Sequence, residues 1–273
     1  MSRLLKTPAG ALGTAIVMLV VLAALLSPIV SPYDPDALDV LNRFSDITAR
    51  HWLGTDQLGR DLLSRLLHGA TVAMEVSLSA IAVALVAGTL LGILAATLST
   101  AWERLLLILF DIISAFPSLV LALAIVAVFG PSNGQLVFIV AVTLVPHFGR
   151  VARAQTLALG TAPFIEAERI LGASSARIML RHILPNIAGP LIVLASMEIP
   201  VVITIEAGLS FIGLGVRPPL ASWGTLIYDG YAYLSDSPLP VTVSSVALAV
   251  ATLGFTLFGE ALRDATDPKA RAR

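Results

Sequence analysis

The sequence has no cysteine and few charged side chains among its 273 residues. Without cysteine it can form no disulfide framework, thiolate nucleophile or cysteine-ligated metal site. The four histidines are scattered without the spacing of a metal site, so no metal ligand is assigned. The net charge of −1 leaves no basic surface for nucleic acid. These deficits argue against cysteine-based chemistry, a metal site and nucleic-acid binding.

The sequence also lacks a phosphate-binding loop of the form G-x-x-x-x-G-K-[ST], so the chain is not expected to hydrolyse ATP. Charged residues make up 13% of it, against about 25% in soluble domains. Hydrophobic residues make up 57%, and the mean hydropathy is +0.90. Together these values predict an integral membrane protein.

Apolar runs near the roughly 20 residues that a membrane-spanning helix needs occur six times. The fold class expected is therefore all-α, a polytopic membrane protein with six transmembrane helices. A cleaved signal peptide is the alternative for the first run, but that run exceeds the roughly 7–15 residues of a signal core. The predicted spans are about 9–30, 70–98, 105–130, 134–152, 187–213 and 238–261.

The distribution of basic residues predicts the orientation of these spans. With both termini cytoplasmic, twelve of the 17 lysines and arginines lie inside, including Arg3 and Lys6. Residues 161–186, the most polar connection between spans, then lie on the cytoplasmic side. The five basic residues left outside are Arg43, Arg50, Arg60, Arg65 and Arg217.

Residues 161–186 are predicted to form two short helices joined at Gly172. In the second helix Arg177 and Arg181 share one face, and Met179 and Ile183 share the other. A surface helix with one polar and one apolar face is suited to docking another protein. An ordinary cytoplasmic loop is the alternative.

This stretch resembles the EAA loop of bacterial ABC importer permeases, in which a coupling helix contacts the ATP-binding subunit. Glu168 stands where that family usually has alanine, and His182 where it often has isoleucine. The resemblance implies an interface with an ATP-binding subunit. The residues assigned to it are Glu166, Ala167, Glu168, Gly172, Ala173, Arg177, Leu184 and Pro185.

Further motifs resemble the C-type subunit of dipeptide, oligopeptide and nickel importers. They lie at 51–66, 115–118, 206–219, 222–224 and 262–268. The resemblance implies a type I ABC importer transmembrane domain. It also implies three regions: 1–69, a first helix with an acidic extracytoplasmic segment; 70–262, the permease domain; and 263–273, a cytoplasmic tail.

The function implied is one half of a translocation pathway for di- or oligopeptides, in the bacterial inner membrane. Nickel chelates or glutathione-like solutes are the alternative cargo. The partners implied are a second homologous permease subunit, two ATP-binding subunits and an extracytoplasmic substrate-binding protein. No catalytic residue and no cofactor is assigned to this chain, because ATP and Mg²⁺ would be used by the partner subunits.

Acidic residues within spans mark candidate pathway positions, because an acid at the bilayer centre costs roughly 2.5–3.5 kcal/mol unless it faces protein or water. Glu198 and Glu206 could attract the amino end of a peptide. Asp111 and Phe211 are further candidates for the pathway. Pairing with a neighbouring subunit, or packing, is the alternative for each.

Two other classes of protein remain as rivals. An intramembrane serine protease could use Ser210 as nucleophile, but it needs a nearby histidine, and all four histidines are expected in loops or at span ends. A secondary transporter would show repeated halves with broken helices, and no clear internal repeat is seen.

Overall fold

The computed structural model describes residues 7–129, 133–217 and 219–266. Across these ranges the chain is almost entirely helical, with one isolated bridge between Thr55 and Asp61. The basic residues Arg3 and Lys6, and residues 267–273 of the expected tail, lie outside the described residues. The α-helices are α1 (Pro8–Val30), α2 (Leu62–Thr97), α3 (Thr100–Ala115), α4 (Ser118–Phe129), α5 (Asn133–Gly160), α6 (Pro163–Ile170), α7 (Ser175–Ile178), α8 (Leu184–Phe211), α9 (Trp223–Tyr231) and α10 (Leu239–Thr266).

Five helical segments in the described ranges are long and apolar enough to cross a membrane. They are α1, α2, α5, the segment that contains α7 and α8, and α10. The helices α3 and α4 make a sixth crossing if they are counted as one bent span. This agrees with the expected all-α membrane fold.

The third span differs from the prediction of one helix over 105–130. It is broken into α3 and α4, which meet at 92°. Pro117 lies at the break, and Phe116 before it has the extended conformation that a following proline favours. With 12 residues, α4 is only about 18 Å long, too short to cross the roughly 30 Å hydrocarbon core alone.

The second span begins earlier than the predicted residue 70. Asp61 caps α2 by accepting hydrogen bonds from the Ser64 backbone N–H and hydroxyl, both at 2.8 Å. The last residues of the 51–66 motif, from Leu62 onward, are therefore the first part of a 36-residue helix.

Close packing of α2 against α5 forms the centre of the fold. A Cβ on Gly88 would lie 2.6 Å from the Phe148 Cβ, and one on Gly92 would lie 2.9 Å from the Ala152 Cβ. Small residues thus let the two backbones approach closely, as the small-residue pattern in α2 predicts.

The first helix packs onto the last, and the division into three regions stays a prediction. A Cβ on Gly13 of α1 would lie 2.6 Å from the Phe258 backbone nitrogen of α10. The expected boundaries after residues 69 and 262 fall inside α2 and α10.

Residues 31–61 form an ordered segment rather than an open loop. Gly54 and Gly59 adopt left-handed conformations with φ of +78° and +76°, which confirms the predicted glycine turns. Arg60 Nε lies 2.6 Å from Asp56 Oδ2, and Arg65 Nε lies 3.5 Å from the same oxygen. This buried charge network ties the segment to the start of α2.

Candidate functional site

The 161–186 arm consists of two helices that meet at Gly172, as predicted. At the end of α6 the Ala173 N–H donates to the Glu168 carbonyl at 3.0 Å. The Gly172 N–H donates to the Arg169 carbonyl at the same distance, which completes a Schellman motif. This motif needs a left-handed residue, and Gly172 has φ of +82°. A Cβ there would meet nothing within 4 Å, so the constraint is conformational rather than steric.

The second half of the arm continues into the next span without a break. Ser174 caps α7 by accepting a hydrogen bond from the Arg177 N–H at 3.3 Å. The helix passes through the π-helical turn Met179–Ile183 into α8, so one helix runs over Ser175–Phe211. Pro185 follows this turn, where a residue without an N–H is tolerated because the regular hydrogen-bond ladder is already interrupted. A displacement of the arm is therefore transmitted into α8.

Three isoleucines fix the inner face of the arm to the membrane helices. Ile165 is fully buried, and Ile178 and Ile183 are at most 5% exposed. All three belong to the main hydrophobic core, together with Ile187 of α8. The arm is consequently part of the folded body and not a loose connection.

The outer face of the arm carries apolar side chains that the chain does not cover. Ile170 and Leu171 are 86% and 82% exposed, and Leu180 is 67% exposed. An exposed apolar cluster on a polar segment is typical of a protein interface. Sequence reasoning missed this cluster, although two adjacent apolar residues directly before the glycine were a signal for it.

The residues predicted for the interface are mostly accessible. Glu168 is half-buried, and its Oε1 lies 3.5 Å from His182 Nε2, which links α6 to the π-helical turn. Ala173 is half-buried as well. Their role in contacting another subunit stays a prediction. The exposed members are Glu166, Ala167, Gly172, Arg177, Leu184 and Pro185.

Glu198 of α8 lies opposite His147 of α5. The His147 Nδ1 is 2.9 Å from the Glu198 Oε1. The Glu198 side chain is 8% exposed, whereas that of His147 is 59% exposed. The expectation that every histidine lies in a loop or at a span end is wrong for His147, because α5 continues to Gly160 on its far side. The sequence did carry a signal for this pair, namely a histidine in one apolar span and an acidic residue in another.

Glu206 occupies a different environment and does not join Glu198. It is 1% exposed, and its Oε1 accepts a hydrogen bond from the Ser210 hydroxyl at 2.7 Å. Ser222, which caps α9, also hydrogen-bonds this carboxyl group. The Ser210 oxygen in turn accepts the Val216 N–H at 3.1 Å. Glu206 thus connects α8 to the segment leading into α9.

The other two predicted pathway residues lie apart from Glu198. Asp111 is exposed on α3 and pairs with Arg150 of α5 at 2.8 Å. Phe211 packs edge-on against Tyr228 and Tyr231 of α9, with ring centroids 6.4 and 6.2 Å away. Neither lines the cavity beside Glu198. Their roles in a pathway stay predictions.

Two adjacent spaces lie near Glu198. A cavity of about 140 Å³ is lined by Glu198 and His147. A groove of about 480 Å³ runs between α8 and α10. Ser118, Val201 and Ile205 line both spaces, so the groove adjoins the cavity that holds the carboxylate.

Neither a metal site nor a serine–histidine pair at Ser210 is formed among the described residues. Among them, no group of three His, Asp or Glu side chains could hold a metal ion. The Ser210 hydroxyl is hydrogen-bonded to Glu206 and Val216, and no histidine contacts it. An arrangement of serine and histidine for nucleophilic catalysis is therefore not formed in this part of the chain.

Residues 88–272 match the family model described as "binding-protein-dependent transport system inner membrane component". Residues 1–47 match the model described as "N-terminal TM domain of oligopeptide transport permease C".

Curated relatives match over nearly the full length. The dipeptide transport system permease protein of Alkalihalophilus pseudofirmus is 35% identical over 99% of this chain and 89% of its own length. The di/tripeptide transport system permease protein of Pseudomonas aeruginosa is 38% identical over 96% of this chain and 89% of its own. A glutathione transport system permease protein of Pectobacterium atrosepticum is 34% identical, covering 99% of this chain and 90% of its own.

Among solved structures, a chain of the MetNI methionine ABC transporter in an inward-facing conformation has a similar fold. The TM-score is 0.60 at 17% identity, over 74% of this chain and 97% of that one. At this identity the likeness concerns the fold alone.

Proposed function

Because this chain belongs to the family of binding-protein-dependent transport system inner membrane components, we propose that it forms half of the translocation pathway of an ATP-driven peptide importer. Its relatives are transport permease subunits, and the chain is likewise a multi-pass membrane protein that works with other ABC subunits. The finer assignments below concern its cargo, its partners and its orientation.

Di- and oligopeptides are the proposed cargo. Relatives named for dipeptides, di/tripeptides and D,D-dipeptides support this assignment. Relatives named for glutathione support a glutathione-like solute as the second candidate. A nickel chelate is a third candidate, which rests on the resemblance of the motifs alone.

Energy is proposed to come from two separate ATP-binding subunits, which use ATP and Mg²⁺. This chain has no phosphate-binding loop of its own. A second, homologous permease subunit would complete the pathway, and an extracytoplasmic binding protein would deliver the cargo. The transporter would lie in the bacterial inner membrane.

The observation that carries this proposal is the exposed arm that is continuous with a span. Ile170 and Leu171 are exposed at its tip, where an ATP-binding subunit would cover them. Ile165 and Ile178 hold its inner face in the core, so the arm and the spans move together. A docking surface joined rigidly to a membrane helix is what an energy-coupling element requires.

Transport would then proceed by changes of shape rather than by chemistry in this chain. Closure of the ATP-binding pair would draw the two arms together and tilt the attached spans, which opens the pathway outward. The binding protein would release its peptide into the opened cavity. ATP hydrolysis would separate the arms again and return the pathway to its inward-open form.

Both termini and the arm are proposed to face the cytoplasm. The excess of basic residues on that side supports this orientation. It also places the arm on the side where ATP is available.

Co-purification followed by uptake into proteoliposomes tests the proposed function. We expect two ATP-binding subunits and a second permease subunit to accompany the tagged chain. Uptake of alanyl-alanine should require ATP and the binding protein. ATP-independent uptake by this chain alone would contradict the proposal and favour a secondary transporter.

A further inference from the structure

We propose that Glu198 is the position at which this subunit receives the protonated amino group of a transported peptide, and that His147 occupies this position when no peptide is bound. The assignment rests on the proposed transport of peptides. It gives different roles to Glu198 and Glu206, which sequence reasoning treated alike.

Glu198 and His147 differ in burial, and this difference suits the replacement of His147 by a peptide's ammonium group. The Glu198 side chain is more than nine-tenths buried, so its carboxylate is held in place by the surrounding helices. The His147 side chain is 59% exposed and can turn away from the carboxylate without opening the core. The pair therefore consists of a fixed acceptor and a displaceable donor.

The space beside the pair adjoins the larger groove, which has room for the rest of a peptide. The cavity at Glu198 holds about 140 Å³, enough for an ammonium group and the atoms next to it but not for a whole peptide. The rest of the peptide would lie in the adjoining groove of about 480 Å³. Val201 and Ile205, one and two helical turns beyond Glu198, form the shared wall of the two spaces.

The wall of the groove binds weakly, which a transport pathway needs. Thr204, Thr252 and Thr256 line it, and each hydroxyl donates a hydrogen bond to a carbonyl of its own helix. These side chains therefore present few free donors to a passing peptide. Glu260 also lines the groove, whereas Glu198 lines the smaller cavity, where its carboxylate would contact the peptide's terminal ammonium.

Charge complementarity favours an ammonium group over a neutral or anionic one at this position. A carboxylate within a span is costly unless a donor or a cation accompanies it. A terminal ammonium carries three N–H donors and a full positive charge, so it can replace the imidazole at the carboxylate. Glu198 and His147 lie on different helices, α8 and α5, so a movement between these helices would also change their contact.

Comparison of two amide variants tests the exchange in the assembled transporter. For an ion pair with only a structural role, His147→Gln would leave the buried Glu198 carboxylate without its imidazole partner, so it should lower uptake at least as much as Glu198→Gln. If Glu198 receives the substrate, Glu198→Gln should lower ATP-driven alanyl-alanine uptake at least tenfold, and His147→Gln should lower it less than threefold. Uptake is normalised to the amount of assembled complex, which separates transport from folding.

A labelling experiment provides an independent readout. The chain has no cysteine, so Val201→Cys introduces a single thiol into this subunit at the shared wall. We expect a water-soluble maleimide to label it and alanyl-alanine to slow the labelling at least threefold, while N-acetyl-alanyl-alanine does not. Leu253→Cys is the control, because Leu253 is 51% exposed on α10 but does not line the groove.

The outcomes separate this assignment from the proposed function. Absence of alanyl-alanine uptake by the wild-type transporter would contradict the proposed function and the assignment with it. Normal wild-type uptake, with a loss in His147→Gln as large as that in Glu198→Gln or larger, would overturn the assignment alone. Equal slowing of Val201→Cys labelling by the acetylated peptide would also overturn it.

Discussion

Gly92 of α2 and Gly149 of α5 are in direct backbone contact. A Cβ on Gly92 would overlap the carbonyl oxygen of Gly149, and one on Gly149 would overlap the ring of Phe110 from α3. The helices α2, α3 and α5 thus approach one another at two glycines, Gly92 and Gly149. The relative positions of α2, α3 and α5 depend on this contact.

Replacement of Gly92 by alanine is expected to destabilise the protein, because overpacking a tight contact costs typically 1–3 kcal/mol. Thermal unfolding of the purified chain in detergent should show a lowered midpoint. Gly160→Ala is the matched control, since a Cβ at Gly160 would meet nothing within 4 Å. Equal midpoints for the two variants would contradict the close packing of α2 on α5.

Replacement of Gly172 by valine should uncouple transport from ATP hydrolysis or block assembly. The left-handed conformation costs a residue with a Cβ about 1–2 kcal/mol, and more for a β-branched one. Peptide uptake divided by ATP hydrolysis should fall. Gly172→Asn should retain more coupling, because asparagine tolerates this conformation better. A wild-type ratio in the valine variant would count against a coupling role.

Replacement of both Ile170 and Leu171 by serine should weaken assembly with the ATP-binding subunits. The change removes exposed apolar surface and leaves the buried face of the arm intact. The measurement is the amount of ATP-binding subunit that co-purifies. Leu41→Ser is the control, because Leu41 is 97% exposed but lies in the 31–61 segment. Unchanged co-purification in the double variant would argue against docking at this tip.

Replacement of Glu206 by alanine should lower stability by about 1–3 kcal/mol, because it leaves buried hydroxyl groups without their partner. Glu206→Gln keeps an acceptor oxygen for Ser210 and should be milder. Thermal unfolding and uptake per assembled complex should both be measured. A fall in uptake of the assembled glutamine variant without a loss of stability would instead support a pathway role for Glu206.

Sequence reasoning located the spans because hydropathy reports the average environment of some 20 residues. It located the arm because polar residues, Gly172 and Pro185 stand out against apolar flanks. It placed the start of α2 too late, because the Asp61 cap precedes the apolar run. It missed α9, because Trp223–Tyr231 has only nine residues, too few to register as a span.

The pathway acids were harder to assign, because sequence spacing does not reveal partners on other helices. Glu198 and Glu206 lie eight residues apart in one span, yet one meets a histidine and the other two serines. Likewise, the sequence predicted one helix over 105–130, whereas the structure breaks it at Pro117 with an angle of 92°. Such angles depend on packing between helices, which a single sequence does not specify.

The unbroken helix Ser175–Phe211 has a mechanical consequence. Near its middle it touches α10, where a Cβ on Gly259 would lie 3.2 Å from the Met197 Cγ. A helix that turns as one body about such a crossing moves its two ends in opposite directions. Inward travel of the arm is then accompanied by outward travel of the Phe211 end, so a single pivot can close one side of the membrane while it opens the other.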